Sequence, residues 1–316
     1  MNHHPLEPLI KQYLAEKDIT QGTRELYQTI LKQYINYLKE HQILNAKTSD
    51  VMNYLEMIRK RGSSKRWIHH QITVLKGLYQ YLSFNRVRLD LPEAYTFDMM
   101  KSIKNERIEK GISKPILTTE EAKHLILYLK DNRKYIWHYR DYALIYLMIT
   151  TGLRSIEVRR ARIKDLKMMN GTRILYVHGK GRSYADEYVK ISDGLSEAIQ
   201  EYLIKRKDKN PYLFVSRSVR STKPLTRTVF VGMFRRILRD SGLSDTHITA
   251  HSLRHTAATI NLLRGGTLAS TKVLMRHKKI ATTLIYAHHL DLIHDDSEHQ
   301  IEHYILGSED DSNNGT

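Results

Sequence analysis

The 316 residues are about two domains' worth of chain at roughly 150 residues each, and 41% hydrophobic with 27% charged residues excludes a peptide, a disordered chain or a collagen-like polymer. The chain has no cysteine, which excludes thiol catalysis, disulfides and thiolate metal sites and leaves His and carboxylate as the only metal ligands. The 51 Lys and Arg against 34 Asp and Glu give +17, but residues 291–316 hold eight of the acids and no Lys or Arg, so residues 1–290 carry 51 cations against 26 acids, or +25. An excess of this size repels itself unless it faces a polyanion, so nucleic acid is the first partner it suggests and an anionic membrane surface the second. The N-terminus has no basic run ahead of an apolar one, and no stretch approaches the about 18 apolar residues of a membrane span. The expected setting is cytoplasmic, with no membrane partner.

In chain order, the first hundred residues read as a helical bundle. Leu6, Leu9, Ile10, Tyr13 and Leu14 recur at helical spacing, and Thr20 to Thr23 offers caps for a second run through Leu26, Ile30, Leu31, Tyr34 and Leu38. A third helix follows Thr48-Ser49-Asp50 with Val51, Tyr54, Leu55 and Ile58. Ser63-Ser64 opens a fourth, whose apolar stripe is Ile68, Ile72, Leu75, Leu78, Tyr79 and Leu82, with Lys65, Arg66 and Lys76 on or near its polar side. Residues 101–115 lapse into polar sequence with a Gly and a Pro, a linker between domains at 1–100 and 116–290. Thr118-Thr119-Glu120-Glu121 starts a helix with acids in its first turn. Residues 141–150 form a strongly apolar helix ended by Thr151-Gly152. Three β-type runs follow at 173–177, 187–191 and 212–215, the first two joined through His178-Gly179-Lys180-Gly181, and helices resume from Arg227 to the region of Ile305. The fold class is mainly α, with a small antiparallel sheet in a mixed α+β second domain.

Four places carry chemistry. At Thr151-Gly152-Leu153-Arg154 the chain leaves the buried helix through Gly and sets Arg154 at the start of the next one, with Glu157 one turn later able to face it. An ordinary surface ion pair would look the same. His251-Ser252-Leu253-Arg254-His255 gathers cationic and titratable groups within about one turn, and His251 and Arg254 share a face suited to phosphate, though an exposed polar helix start would also look like this. His277 comes next, and Tyr286 nine residues after it. One Tyr among twenty is more often packing than nucleophile.

The order Arg154, Lys180, His251 with Arg254, His277, Tyr286 resembles that of the tyrosine recombinases, the phage-integrase family. The matching stretches are the Thr-Gly-Leu-Arg-x-x-Glu box, the Gly-Lys-Gly hairpin, the His-x-Leu-Arg-His box and the His-plus-nine Tyr. Pro115 to Glu121 and Arg140-Asp141-Tyr142-Ala143 also look like the family's approach to its catalytic domain. The chain departs from the pattern at Arg276, where Gly is common, and at Asp186-Glu187, where basic residues are frequent; both are expected to leave the chemical groups untouched.

The resemblance implies a compact recombinase of the Xer or transposon-resolving kind, without an arm-site-binding domain, whose N-terminal bundle binds core-site DNA. Tyr286 would attack a DNA phosphorus after a Thr-rich approach expected to be mobile, with Arg154 and Arg254 on the non-bridging oxygens and His251 as base. Lys180 would be the general acid, His277 a hydrogen-bond donor to phosphate, and Glu157 the support of Arg154. Lys65, Arg66, Lys76, Arg182 and His255 are candidate DNA contacts, and neither metal nor cofactor is required. Residues 291–316 form a C-terminal helix and acidic tail for docking between protomers, in a homo-tetramer on two double-stranded DNA sites that is a monomer or weak oligomer when free, with a directionality factor as accessory. The rival readings are a type IB topoisomerase-like enzyme, a non-catalytic DNA-binding protein, and a metal-dependent nuclease using His288, His289, His294 and Asp295-Asp296.

Overall fold

The computed structural model describes residues 3–107, 115–178, 187–216, 223–284, 286, 301–302 and 304–305. Two compact units divide the chain, residues 1–112 and 113–316.

The first unit is built on four helices, α1 (Leu6–Glu16), α2 (Gln21–Glu40), α3 (Thr48–Lys60) and α4 (Lys65–Phe84). Their starts follow local chemistry. The Thr20 and Ser64 hydroxyls accept the Thr23 and Trp67 N–H groups, while the Asp50 carboxylate accepts the Lys47 N–H at 2.7 Å. The apolar stripes meet in a core rich in tyrosine, where most buried hydroxyls are expected to find a partner and that of Tyr13 has none among the described residues. The Tyr34 and Tyr79 hydroxyls bond each other at 2.7 Å, and Tyr54 donates to Gln71. Packing continues past α4 through Met100 and Ile103, and Arg59 clasps Glu106, so the unit extends into the stretch read as linker. Lys65 and Arg66 are exposed on the first turn of α4, and Lys76 is half-buried.

The second unit contains α5 (Thr119–Asp131), α6 (Ile136–Thr151), α7 (Ser155–Arg160), β1 (Leu166–Met169), β2 (Thr172–Val177), β3 (Glu187–Ile191), α8 (Asp193–Lys205), α9 (Arg227–Asp240), α10 (Ala250–Leu263) and α11 (Leu268–Met275). Thr118 and Glu121 cap α5 reciprocally. Helix α6 is apolar on all sides because α5, α8, α10 and β3 surround it. Its one charged pair, Arg140-Asp141, is buried. Asp141 accepts Arg140 and Arg236 of α9, and Arg140 donates onward to the Val215 carbonyl at 2.7 Å, so the pair binds three segments together.

The sheet is antiparallel in the order β1-β2-β3, and two details differ from the sequence reading. Strand β1 was not foreseen. It forms a hairpin with β2 through Asn170-Gly171, both at positive φ, the backbone a two-residue hairpin needs. Residues 212–215 are no strand: they make one isolated bridge, Tyr212 to Arg162, because the Tyr212 and Leu213 carbonyls are taken by the Arg206 guanidinium at 2.6 and 2.9 Å. Strands β2 and β3 pair from Arg173↔Ile191 to Val177↔Glu187, as the hairpin reading requires.

Candidate active site

Helix α6 must stop abruptly for Arg154 to reach its place. Gly152 does this at φ +60, and a Cβ there would also come within 2.9 Å of Met275 Sδ. Arg154 is then the N-cap residue of α7. Its backbone N–H donates to Glu157 Oε2 at 2.8 Å and its Nη1 to Oε1 at 2.7 Å. Glu157 is 1% exposed, so this is no surface ion pair. Burial pushes the Glu157 carboxyl up, but Arg276 and Arg154 together outweigh it and hold the group below the usual carboxylate range.

Arg254, on the second turn of α10, is 2% exposed. Its Nη1 donates to the Gly152 carbonyl at 2.5 Å and its Nη2 to the Met275 carbonyl, so one guanidinium joins the ends of α6 and α11. Among the described residues no carboxylate pairs with it. Burial, then Arg154 and Arg276, lower it to about 10, which leaves it charged at neutral pH.

Helix α11 ends at Arg276, whose left-handed backbone delivers His277. The His277 Nδ1 and the Thr283 hydroxyl are bonded at 2.9 Å, and the imidazole lies parallel to the Tyr286 ring with centroids 6.3 Å apart. Thr283 is buried within a helical turn, three residues before Tyr286. Tyr286 is 7% exposed and packs on Ala258 and Met275. Burial raises its phenol, while Arg254 and Arg154 pull it down. The half-buried His255 ring has its centroid 5.2 Å from that of Tyr286 and 4.6 Å from that of the exposed His251.

Arg154, Glu157, Arg254, His277 and Tyr286 are therefore brought together, with His251 behind His255. Lys180, Arg182 and the His288, His289, His294, Asp295 and Asp296 group lie outside the described residues. Among the described residues no group of three or more His, Asp or Glu could hold a metal ion, and no helix is long and apolar enough to cross a membrane. Sequence reasoning missed Arg276 as a member of the site. Expected to touch no chemical group, it donates Nη2 to Glu157 Oε2 at 2.9 Å. The signal was the departure itself, a long cation where a small residue is usual.

Burial, followed by Arg254, Arg154 and Arg276, depresses His277 from 6.5 to about 4. The free protein therefore holds it neutral at pH 7. A titration of the imidazole by NMR is expected to show a midpoint far below 6.5, moving upward when a phosphodiester binds. The sign for stability follows: the unfolded chain takes up this proton more readily, so the contribution of His277 is lost as pH falls from about 6.5 towards about 4.

The model of the Phage integrase family matches residues 115–292, and that of the Phage integrase, N-terminal SAM-like domain matches residues 8–84. The chain belongs to the phage integrase family. Tyrosine recombinase XerD of Oceanobacillus iheyensis is 25% identical over 299 residues, covering 91% of this chain and 94% of its own. Tyrosine recombinase XerA of Pyrococcus furiosus is 30% identical over 276 residues, covering 87% and 86%. The fold matches the XerH site-specific recombinase bound to palindromic difH substrate in a post-cleavage complex, with a TM-score of 0.69, 23% identity, and coverage of 93% and 84%. This phage-integrase member is a compact tyrosine recombinase of the Xer type, an enzyme that breaks and rejoins DNA.

Proposed function

We propose that this recombinase acts on double-stranded DNA by transesterification, with Tyr286 as nucleophile. The phenol oxygen attacks a backbone phosphorus, the bond to the deoxyribose 5′-oxygen breaks, and a 3′-phosphotyrosyl link preserves the bond for rejoining. The phenol proton leaves towards the His255–His251 row, and Lys180 protonates the departing 5′-oxygen. Arg154 and Arg254 receive the non-bridging oxygens, His277 donates a hydrogen bond to the phosphate, and Glu157 holds Arg154. The observation that carries this is Arg254, a buried cation with only carbonyl partners among the described residues, set beside a tyrosine and an imidazole held neutral. A cation, a hydroxyl and a neutral imidazole are the groups that attack on a phosphodiester calls for.

The first unit is assigned to core-site DNA, with Lys65, Arg66 and Lys76 on α4 and Arg182 of the second unit as further contacts. A cytoplasmic, nucleoid-associated setting follows from that substrate. The segment from about 291 to 306 is assigned to docking in trans on a neighbouring protomer, in a tetramer on two sites to which a directionality factor could bind. The exposure of Ile301, Tyr304 (90%) and Ile305 supports this, since apolar groups at helical spacing call for a partner surface.

Two assays test the reading, using DNA flanking the gene as substrate. A two-site recombination assay is expected to give exchanged products. Relaxation of supercoils without exchange would instead favour the topoisomerase reading. A chain truncated after Leu290 is expected to bind one site but form no synaptic tetramer, whereas recombination at the normal rate would sink the trans-docking assignment.

A further inference from the structure

Arg276 combines two unfavourable features. Its backbone is left-handed, φ +49 and ψ 47, a conformation that glycine adopts freely and a side chain resists. Its side chain is 7% exposed, so a full guanidinium has been taken from water. Two of its three nitrogens are hydrogen-bonded, while Nε is buried without a hydrogen bond among the described residues and meets a carboxylate only at charge-pairing distance. Nη2 donates to Glu157 Oε2 at 2.9 Å, Nη1 donates to the Leu274 carbonyl at 3.1 Å, and Nε lies 3.7 Å from Glu187 Oε2. Glu157 is the carboxylate whose other oxygen sets the Arg154 guanidinium. Glu187 opens β3 opposite Val177, at the end of the strand pair whose connection includes Lys180 in sequence. The two places where the sequence departs from the family's motifs are thus two ends of one ion-paired group.

We propose that Arg276 is a positioning residue for strand cleavage. By holding Glu157 Oε2 it leaves Oε1 to Arg154 alone, and by pairing with Glu187 it ties the β2–β3 end to the same carboxylate, so the group on Arg154 and the strand end leading to Lys180 share one reference point. This rests on the transesterification reading above. Arg276 itself does not touch the reacting atoms; its effect passes through Glu157 and Glu187.

The test uses Arg276→Gly, which removes the guanidinium while suiting the left-handed backbone, and Arg276→Lys, which keeps a cation that cannot fork between two carboxylates. Each full-length variant is assayed with a nicked suicide duplex, well below its melting temperature and at saturating DNA. Arg276→Gly is expected to bind within about twofold of the parent yet cleave at least about tenfold more slowly in single turnover, since small misplacement of a catalytic group costs rate rather than affinity. Arg276→Lys is expected to recover part of the rate, and Glu187→Gln to show a smaller loss in the same direction. Cleavage by Arg276→Gly at the parental rate would overturn the proposal, as would equal losses in binding and cleavage. A parent that formed no Tyr286-dependent covalent species would instead remove the transesterification reading, and this proposal with it.

Discussion

Tyr286→Phe is expected to abolish the covalent protein–DNA species trapped on a nicked suicide duplex, a loss of about 10⁴-fold or more that takes the signal below detection. The substitution removes one oxygen from a ring that is already packed on Ala258 and Met275, so the fold and the DNA affinity should survive it. Burial keeps the phenol protonated in the free protein against the pull of Arg254 and Arg154. Ionisation therefore has to be assisted at the moment of attack, and the cleavage rate at saturating DNA is expected to rise with pH above neutrality. The same species is expected to form in EDTA, since two arginines and a lysine supply the positive charge and the neutral His277 a hydrogen bond. Strict dependence on a divalent ion would favour the nuclease reading, and a covalent species formed by Tyr286→Phe would show that another nucleophile acts.

Arg154→Ala and Arg254→Ala should each depress cleavage by about 10²- to 10³-fold while changing DNA affinity far less, because their charge is used on the transition state. The structure separates the two in stability. The Arg154 side chain is about one-third exposed, and its loss leaves Glu157 still paired with Arg276. Arg254 is buried and clamps two carbonyls from segments far apart in the chain, so its removal leaves both carbonyls short of a donor and opens a cavity. A destabilisation of about 3 kcal/mol is expected for Arg254→Ala, read from urea unfolding, and much less for Arg154→Ala. Binding losses equal to the cleavage losses would return both residues to an ordinary basic surface.

Much of the site was legible because its motifs are local. Arg154 and Glu157 are an N-cap and its third residue, so their hydrogen bonds follow from three positions of spacing and a helix start after Gly152. The bundle helices were legible for the same reason, through periodic apolar residues and the caps at Thr20 and Ser64. The β1–β2 hairpin was overlooked although Asn170-Gly171 marked it, because β1 is short and its Lys-Met-Met run carries little alternation.

By itself, then, the sequence determined the capped helix starts at Thr20, Ser64 and Thr118, the basic excess of residues 1–290, the order of the cationic boxes and the Tyr286 position, all of which depend on neighbours a few residues apart, whereas the start of α6 at Ile136 and all of α8 came only with the structure. Only the tertiary structure decided which groups meet across long spans. Arg254 looked like a partner of His251 on one helix face, yet its guanidinium is anchored by one bond to Gly152, 102 residues earlier, and one to Met275. The sequence named His255 only as a candidate DNA contact; the structure sets its ring centroid 5.2 Å from that of Tyr286. Arg276 looked remote from the chemistry, yet it reaches Glu157, 119 residues away. Helical spacing states which side chains share a face; it does not state what that face is pressed against, and a buried cation takes whatever acceptors the closed chain brings to it.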